Sequence, residues 1–263
     1  MNAETYYKDH WVEIEPERLD AYEQLFEWRP QSAPLLEPAR LEPGQVVVDY
    51  GCGPGGLTVE LARRVAPTGR VHGVDLNAAF LERAAARAKR EAVDSFVTWH
   101  RCDGDKLPLD SALADRLVCK NVMEYVPDVA ATLSEFRRVL KPGGLAHVID
   151  SDWGLFAVEP LGAERMAELF AAASPAYRTP HIGRKLFGAM RAAGFADVKI
   201  QVLSSADTKG RMSPVVFNML GYARASGRLP AATLEALTRD LKQSLAEGTF
   251  VLILPQFLVT GSA

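Results

Sequence analysis

The residues best suited to chemistry begin with an acidic side chain and a cluster of glycines that follow a β-branched apolar run. The segment reads Val46-Val47-Val48-Asp49-Tyr50-Gly51-Cys52-Gly53-Pro54-Gly55-Gly56, and an amphipathic stretch begins at Leu57. This order predicts a buried strand, a tight turn and a helix N-terminus, the arrangement that holds a nucleotide-like cofactor. Glycine is needed there because the turn requires unusual backbone angles and because a ligand must approach the backbone closely.

Two motifs fit this stretch. Gly51, Gly53 and Gly56 satisfy the G-x-G-x-x-G of dinucleotide binders, which would make the protein a nicotinamide-dependent oxidoreductase. Asp49 with Gly51, Gly53 and Gly55 satisfies D-x-G-x-G-x-G instead. A carboxylate at Asp49 would repel a pyrophosphate but could support an amino-acid-like ammonium group, which favours the second motif.

A further acidic residue, Asp75, ends the next predicted strand, beside the glycine turn. A carboxylate in that place can accept hydrogen bonds from both hydroxyls of a ribose, and we expect Leu76, which follows it, to contact the cofactor as well. Both motifs predict a ribose here, so Asp75 does not distinguish them. Its alternative role is to cap the helix that follows.

Strands and helices alternate from Val46 to about Asp150. The predicted strands are Val46–Tyr50, Arg70–Asp75, Phe96–His100, Asp115–Lys120 and Leu145–Asp150. The predicted helices are Leu57–Ala66, Ala78–Ala92 and Asp128–Leu140, the last ended by a Lys-Pro-Gly-Gly turn. This alternation implies right-handed crossovers and a parallel sheet. The predicted fold class is α/β, with a doubly wound, mostly parallel, seven-stranded sheet.

The remaining segments predict a cap and two insertions around this sheet. Residues 1–45 are rich in aromatic residues and hold one predicted helix, with Pro16 near its start, as a cap over the active site. Residues 46–263 are expected to form one domain with helical lid insertions at about 152–182 and 205–248, since long interruptions are usually lids or binding loops. The other predicted elements are helices at Ala163–Ala173 and Gly183–Ala193, a leucine stripe within 204–248, and strands at Val198–Leu203 and Phe250–Val259.

Composition limits the class of partner. The chain has 263 residues and a formal net charge of −3, so long-range attraction to nucleic acid or an anionic membrane is not expected. Its three cysteines offer no disulfide framework, and no apolar run approaches the ~20 residues of a membrane span. We therefore expect a cytoplasmic monomer or homodimer without a nucleic-acid or membrane partner. The lid region contains no acidic cluster with metal-ligand spacing, so no metal ion is expected.

Four segments in order carry a resemblance to a known family. The glycine turn, residues 101–109 with Asp103-Gly104, residues 115–126 at the fourth strand, and the Leu140-Lys141-Pro142-Gly143-Gly144 turn resemble class I S-adenosylmethionine-dependent methyltransferases. The likeness is to the small-molecule branch that includes ubiquinone- and menaquinone-biosynthesis enzymes. It covers residues 46–150 well and 183–260 loosely. Many relatives carry a histidine pair where this chain has Glu124-Tyr125.

The resemblance implies a Rossmann-like methyltransferase fold and S-adenosylmethionine as cofactor, with S-adenosylhomocysteine as product. It implies that the three motif glycines pass under the methionine part, that Asp75 holds the ribose, and that Asp103 and Gly104 hold the adenine. It also implies that Asn121 borders the sulfonium region.

Substrate-side candidates follow from where the strands end. His181 is a candidate general base, Asp152 could orient or deprotonate an acceptor, and Tyr125 would lie on the pocket floor. The aromatic side chains of Tyr6, Tyr7 and Trp11 could close over the sulfonium by cation–π contact. Each has an ordinary alternative in helix capping or packing.

The expected activity is direct displacement of a methyl group onto a nitrogen, oxygen or carbon nucleophile of a small, partly apolar metabolite. The alternative is a protein of the same fold that binds the cofactor without methylating, either a cyclase or a regulatory or binding module.

Overall fold

The valine-rich apolar runs form the centre of a large sheet. The computed structural model describes residues 4–14, 16–102 and 106–263. In chain order the strands are Val46–Tyr50 (β1), Arg70–Asp75 (β2), Val97–Arg101 (β3), Ala114–Lys120 (β4), Leu140–Ser151 (β5), Ala157–Glu159 (β6), Ala196–Leu203 (β7), Ala206–Asp207 (β8), Val251–Ile253 (β9) and Gln256–Ser262 (β10). Within the described residues, seven of them pair in the order β3-β2-β1-β4-β5-β10-β7. Neighbours among the first five are parallel, whereas β10 is antiparallel to β5 and β7, so the predicted fold class is confirmed.

Helices cover both faces of this sheet. They are Tyr6–Val12 (α1), Pro16–Leu25 (α2), Gly56–Val65 (α3), Ala78–Arg90 (α4), Val129–Val139 (α5), Gly162–Ala173 (α6), Ile182–Ala192 (α7), Ser213–Ser226 (α8) and Ala231–Glu247 (α9). No helix in the described ranges is long and apolar enough to cross a membrane.

Successive side chains of β1 point to opposite faces of the sheet and pack into two separate cores. Val47 packs with α3 on one face, and Val48 packs with α5 and α7 on the other. Burial on both faces explains why the strand is continuously apolar rather than alternating with polar residues. The carboxyl end of β1 is thereby held between two helical layers, with its glycine turn at the edge of the sheet.

A third core lies over that edge. It joins α6, α8 and α9 with β6, β9 and the aromatic side chains of Trp153, Phe156 and Tyr177. The small sheet β6-β9-β8 belongs to this region and was not predicted. The segments expected as two lid insertions therefore pack together, while the division into an N-terminal cap and one domain with lids stays a prediction.

Three predicted elements are wrong in their extent. The strand expected at Leu145–Asp150 begins at Leu140, so the segment expected as a Lys-Pro-Gly-Gly turn belongs to β5. The N-terminal region contains two helices, α1 and α2, where one was expected. The single strand expected at Phe250–Val259 is two strands, because the chain leaves the small sheet after Ile253 and enters the large one at Gln256. Pro255 lies between them and cannot donate to a sheet ladder, so the pairing is interrupted there.

Helix α1 is fastened to the carboxyl edge through Asn77. The Asn77 side-chain oxygen caps α4 by accepting from Phe80 N at 2.9 Å, and its Nδ2 donates to the Trp11 carbonyl at 2.8 Å. One side chain therefore begins α4 and holds the end of α1 over β2.

Substitution Asn77→Asp tests this attachment, because aspartate keeps the capping oxygen and removes the donor to Trp11. We expect hydrogen exchange of the α1 amides to rise at least fivefold, since a hydrogen bond contributes about 1 kcal/mol and the new carboxylate would face the Trp11 carbonyl oxygen. The melting temperature should fall as well, because Asn77 is buried. The matched control is Asp128→Asn, which keeps the corresponding cap of α5 far from α1. Unchanged exchange of α1 in Asn77→Asp would contradict the attachment.

Candidate active site

The glycine turn and the end of β2 are joined by one carboxylate. Asp75 Oδ2 accepts from Gly53 N at 2.8 Å, and its Oδ1 accepts from Asn77 N at 2.9 Å. Burial raises the pKa of Asp75 more than the amide hydrogen bonds from Asn77, Gly53 and Leu76 lower it. A carboxylate has about four acceptor positions, so each oxygen keeps capacity for a hydroxyl donor.

The three motif glycines have different reasons to be glycine. All three have positive φ, at +73° for Gly51, +50° for Gly53 and +80° for Gly55. A Cβ on Gly51 would lie 2.2 Å from Val122 Cγ2, and one on Gly55 would lie 2.8 Å from Ala84 Cβ, so packing excludes side chains there. A Cβ on Gly53 would meet only the Phe26 ring, at 3.9 Å. The open face of the turn is therefore at Gly53.

Asp49 is buried beneath the turn. It is 1% exposed and accepts from the Thr58 hydroxyl of α3 at 2.6 Å. Burial raises its pKa to about 7, helped by the nearby Asp75 charge and opposed by Thr58 and Lys120. Asp49 can therefore influence the site through its charge and through its hydrogen bond with Thr58.

Charged residues also collect at the ends of β4 and β5. Burial raises the pKa of Asp150 to about 7, although its oxygens accept from Met123 N at 2.9 Å and Ser151 N at 2.8 Å. Burial raises the pKa of Glu124 well above its usual range, and Glu124 accepts from Trp153 Nε1. Burial lowers the pKa of Lys120 against the pull of Asp150, Glu124 and Asp49.

The residues present fit the predicted cofactor where the structure describes them. Asn121 lies at the end of β4 with φ +56°, and its buried Oδ1 has no hydrogen-bond partner within the described residues. An unpartnered acceptor suits a donor such as an ammonium group. Leu76 follows Asp75 at the end of β2, as predicted. Asp103 and Gly104 lie outside the described residues.

Two of the catalytic candidates come together. His181 Nδ1 lies 3.1 Å from Asp152 Oδ1, and Arg184 Nη2 donates to the same oxygen at 2.8 Å. Burial raises the pKa of Asp152, but the hydrogen bonds from Arg184 and His181 outweigh it and leave the pKa below the usual range. A carboxylate held in this way orients His181 and is a poor proton acceptor itself.

The third candidate, Tyr125, belongs to a cluster of rings between α1 and the third core. We call it the aromatic cluster and define it by Tyr6, His10, Trp11, Tyr125, Tyr177 and Tyr222. Tyr125 stacks on Tyr177 with ring centroids 5.8 Å apart and meets Trp11 edge-on at 5.0 Å. Phe170 separates it from His181, with centroids 6.2 Å from Tyr177 and 5.9 Å from His181. The structure therefore does not bring Tyr125 and His181 into contact.

The three aromatic side chains predicted to close over the sulfonium lie in two different places. Tyr6 and Trp11 belong to the aromatic cluster, whereas the Tyr7 ring lies under the Arg178 guanidinium at 5.5 Å. These two line an open pocket of about 520 Å³ whose other walls are Glu4, Thr5, Pro175 and Tyr177. Tyr177 belongs to both, so the pocket borders the aromatic cluster.

Sequence reasoning missed His10, Lys120, Tyr177 and Tyr222. Lys120 could have been found, because it ends a predicted strand at the same edge as Asp75. The other three depend on how α1, the 174–177 turn and α8 dock on the sheet, which no local pattern reveals. Among the described residues no group of three or more histidine, cysteine or acidic side chains could hold a metal ion.

Comparison with known proteins agrees with the resemblance found in the sequence. Residues 47–144 match the family described as "Methyltransferase domain". The 2-phytyl-1,4-naphtoquinone methyltransferase of Trichormus variabilis is 33% identical over 135 residues, covering 49% of this chain and 59% of the relative. The demethylmenaquinone methyltransferase of Symbiobacterium thermophilum is 32% identical over 131 residues, covering 49% and 52%. The chain thus spans between half and two thirds of the length of these relatives.

A solved structure supports the fold alone. The phosphoethanolamine N-methyltransferase 2 of Haemonchus contortus, solved with phosphomonomethylethanolamine and S-adenosylhomocysteine, superposes with a TM-score of 0.66 at 18% identity, covering 100% of this chain and 60% of that one. The glycine turn and the acidic end of β2 lie within the matched residues. The chain therefore contains a methyltransferase domain at residues 47–144 and resembles the class I S-adenosylmethionine-dependent methyltransferases in its fold.

Proposed function

We propose that this protein transfers a methyl group from S-adenosylmethionine to a small, partly apolar aromatic acceptor by direct displacement. The proposal rests on one observation: a set of polar groups and a set of aromatic rings meet at one edge of the sheet. Asp75, Gly53 and Asn121 provide polar groups at the ends of β2, β1 and β4. The aromatic cluster lies directly against them, because Asn77 holds Trp11 and Trp11 contacts Tyr125.

The cofactor would be held by this polar edge. Asp75 and Leu76 would contact the ribose, Gly51, Gly53 and Gly55 would pass beneath the methionine part, and the Asn121 oxygen would accept from its ammonium group. Asp49 would support the same end through its charge, and Asp103 with Gly104 would meet the adenine. When bound, S-adenosylmethionine supplies an electrophilic methyl carbon on a positively charged sulfur.

The acceptor would be held by rings. Stacked and edge-on aromatic contacts favour a flat apolar ligand, and the quinone substrates in the names of the curated relatives are of that kind. The aromatic cluster and α1 exclude water from the reacting atoms, and the fixed rings align the acceptor with the methyl carbon. His181, oriented by Asp152, and Tyr125 stay predicted contacts on the acceptor side.

We further propose that the protein works in the cytoplasm on a free small molecule, as a monomer or homodimer and without nucleic acid. A net charge of −3 gives no general attraction to a polyanion.

Transfer of label tests the function directly. The protein is incubated with S-adenosylmethionine labelled in its methyl group and with 1,4-dihydroxynaphthalene under reducing conditions, and we expect label in an organic-soluble product. S-adenosylhomocysteine binding with no transfer to this or related quinols and phenols would contradict the proposal and support a protein that binds the cofactor without methylating.

Substitution Asp75→Asn tests the ribose contact. Asparagine keeps the shape but loses the charge that strengthens hydrogen bonds to two hydroxyls, so we expect S-adenosylhomocysteine to bind at least 10-fold more weakly by calorimetry. The exposed Asp94→Asn is the control and should bind as the wild type. Wild-type affinity in Asp75→Asn would rule out the ribose role.

Substitution Asp49→Asn tests the buried charge. The folded-state pKa of Asp49 is raised to about 7 from the ordinary 3.8, so the wild type loses stability as pH rises from about 4 to 7. The asparagine variant keeps the acceptor for Thr58 and lacks this loss. We expect its stability relative to wild type to improve by about 2 kcal/mol between pH 5 and pH 8 in denaturant unfolding.

The control for this pH dependence is Asp207→Asn. Burial raises the pKa of Asp207, but its backbone hydrogen bonds outweigh burial and hold the pKa below the usual range. Its contribution is complete above the ordinary pKa, so the difference from wild type should be the same at pH 5 and pH 8. An equal, flat difference for Asp49→Asn would show that Asp49 is ionised throughout.

A further inference from the structure

One buried histidine of α1 has a nitrogen that the fold does not use. His10 is 4% exposed and lies inside the aromatic cluster. Its ring centroid is 4.9 Å from those of Tyr6 and Trp11, 5.0 Å from Tyr222 and 5.8 Å from Tyr125.

The hydrogen bonds of the ring fix where its proton lies. Nδ1 of His10 is hydrogen-bonded to the Tyr6 carbonyl oxygen, which can only accept, so Nδ1 carries the hydrogen. Burial lowers the pKa of His10 to about 4, against a smaller opposing effect of the Tyr6 bond, and the ring is neutral near pH 7. Nε2 therefore presents a lone pair, and it has no hydrogen-bond partner within the described residues.

Two further buried polar atoms are unpartnered at this end of the sheet. They are the donor Trp11 Nε1 and the acceptor Asn121 Oδ1, both buried and both without a partner in the described part of the chain. The Trp11 ring adjoins His10 and Tyr125, and Tyr125 lies one short turn beyond Asn121. A buried polar group left unpaired costs about 1–3 kcal/mol. The two unpartnered nitrogens on the adjoining rings of His10 and Trp11 indicate a polar ligand that supplies the missing partners.

We propose that His10 Nε2 accepts a hydrogen bond from the hydroxyl group of the methyl acceptor and so orients its oxygen. This inference rests on the proposed function. The oxygen, or a ring carbon conjugated with it, attacks the methyl carbon with an electron pair. The electrons of the broken carbon–sulfur bond return to sulfur. The products are the methylated acceptor, S-adenosylhomocysteine and the proton that the acceptor loses to water.

The neighbouring titratable groups are less suited to accept a hydrogen bond from the acceptor hydroxyl. Glu124 has a pKa well above its usual range because of burial and is hydrogen-bonded to Trp153. Asp152 is paired with Arg184. The side chain of His181 is 39% exposed and is separated from Tyr125 by Phe170 and Tyr177.

Two probes separate a hydroxyl contact from ring stacking. They are 1,4-dihydroxynaphthalene and 1,4-dimethoxynaphthalene, which share their rings and differ in the O–H donor. Each is titrated, under reducing conditions, into the full chain saturated with S-adenosylhomocysteine and labelled with ¹⁵N-histidine. We expect the Nε2 resonance of His10 to show an unprotonated nitrogen that shifts with the dihydroxy probe and not with the dimethoxy probe.

Substitution His10→Asn keeps an N–H for the Tyr6 carbonyl and removes the Nε2 lone pair. We expect it to weaken the dihydroxy probe at least 10-fold, the equivalent of one hydrogen bond, and to change the dimethoxy probe less than twofold. The matched control is His147→Gln, at another buried histidine whose Nε2 contacts a backbone carbonyl, that of Leu35, at 2.7 Å. It should leave both affinities unchanged.

Equal loss of both probes in His10→Asn, an unresponsive Nε2 resonance, or no binding of either probe would overturn the role of His10. If S-adenosylhomocysteine still binds in that case, the proposed function stands without this residue. Failure of S-adenosylhomocysteine to bind the wild type would instead overturn the proposed function.

Discussion

The carboxylate of Asp75 joins the parts of this molecule that must meet for the site to exist. One oxygen holds the glycine turn through Gly53 N, and the other accepts from Asn77 N. Asn77 in turn begins α4 and holds the Trp11 carbonyl. The end of β2, the turn after β1 and helix α1 are therefore fixed relative to one another by two adjacent side chains. A ribose bound at Asp75 would lie where α1 and its rings converge.

Burial of charge is the second constraint on this edge. Asp49, Asp150 and Glu124 all have raised pKa values because they are desolvated, and Lys120 is shifted in the opposite direction for the same reason. Such an arrangement lowers the stability of the protein, because buried charges are costly even when they accept hydrogen bonds. A cationic cofactor placed among these carboxylates would offset part of that cost. The same low polarity leaves the His10 ring neutral.

Local patterns predicted the sheet correctly, and the residues proposed to hold the cofactor also come from local patterns. Glycine spacing, the β-branched run and the acidic ends of β1 and β2 are properties of short segments, and β1 and β2 have the predicted bounds. The small sheet and the break at Pro255 were missed, because a short apolar strand does not reveal which sheet it joins. His10 and Tyr222 lie over two hundred residues apart in the chain, and their contact depends on the docking of α1 against α8. The proposed acceptor side of the site is therefore formed by tertiary contacts between distant segments.

We propose that one edge of the sheet holds both the cofactor and its methyl acceptor. A crystal structure with S-adenosylhomocysteine measures this most directly. We expect both ribose hydroxyls to lie within hydrogen-bond distance of the Asp75 carboxylate. We also expect the sulfur to face Tyr125 and His10 Nε2. A ribose away from Asp75, or a sulfur turned away from the aromatic cluster, would contradict it.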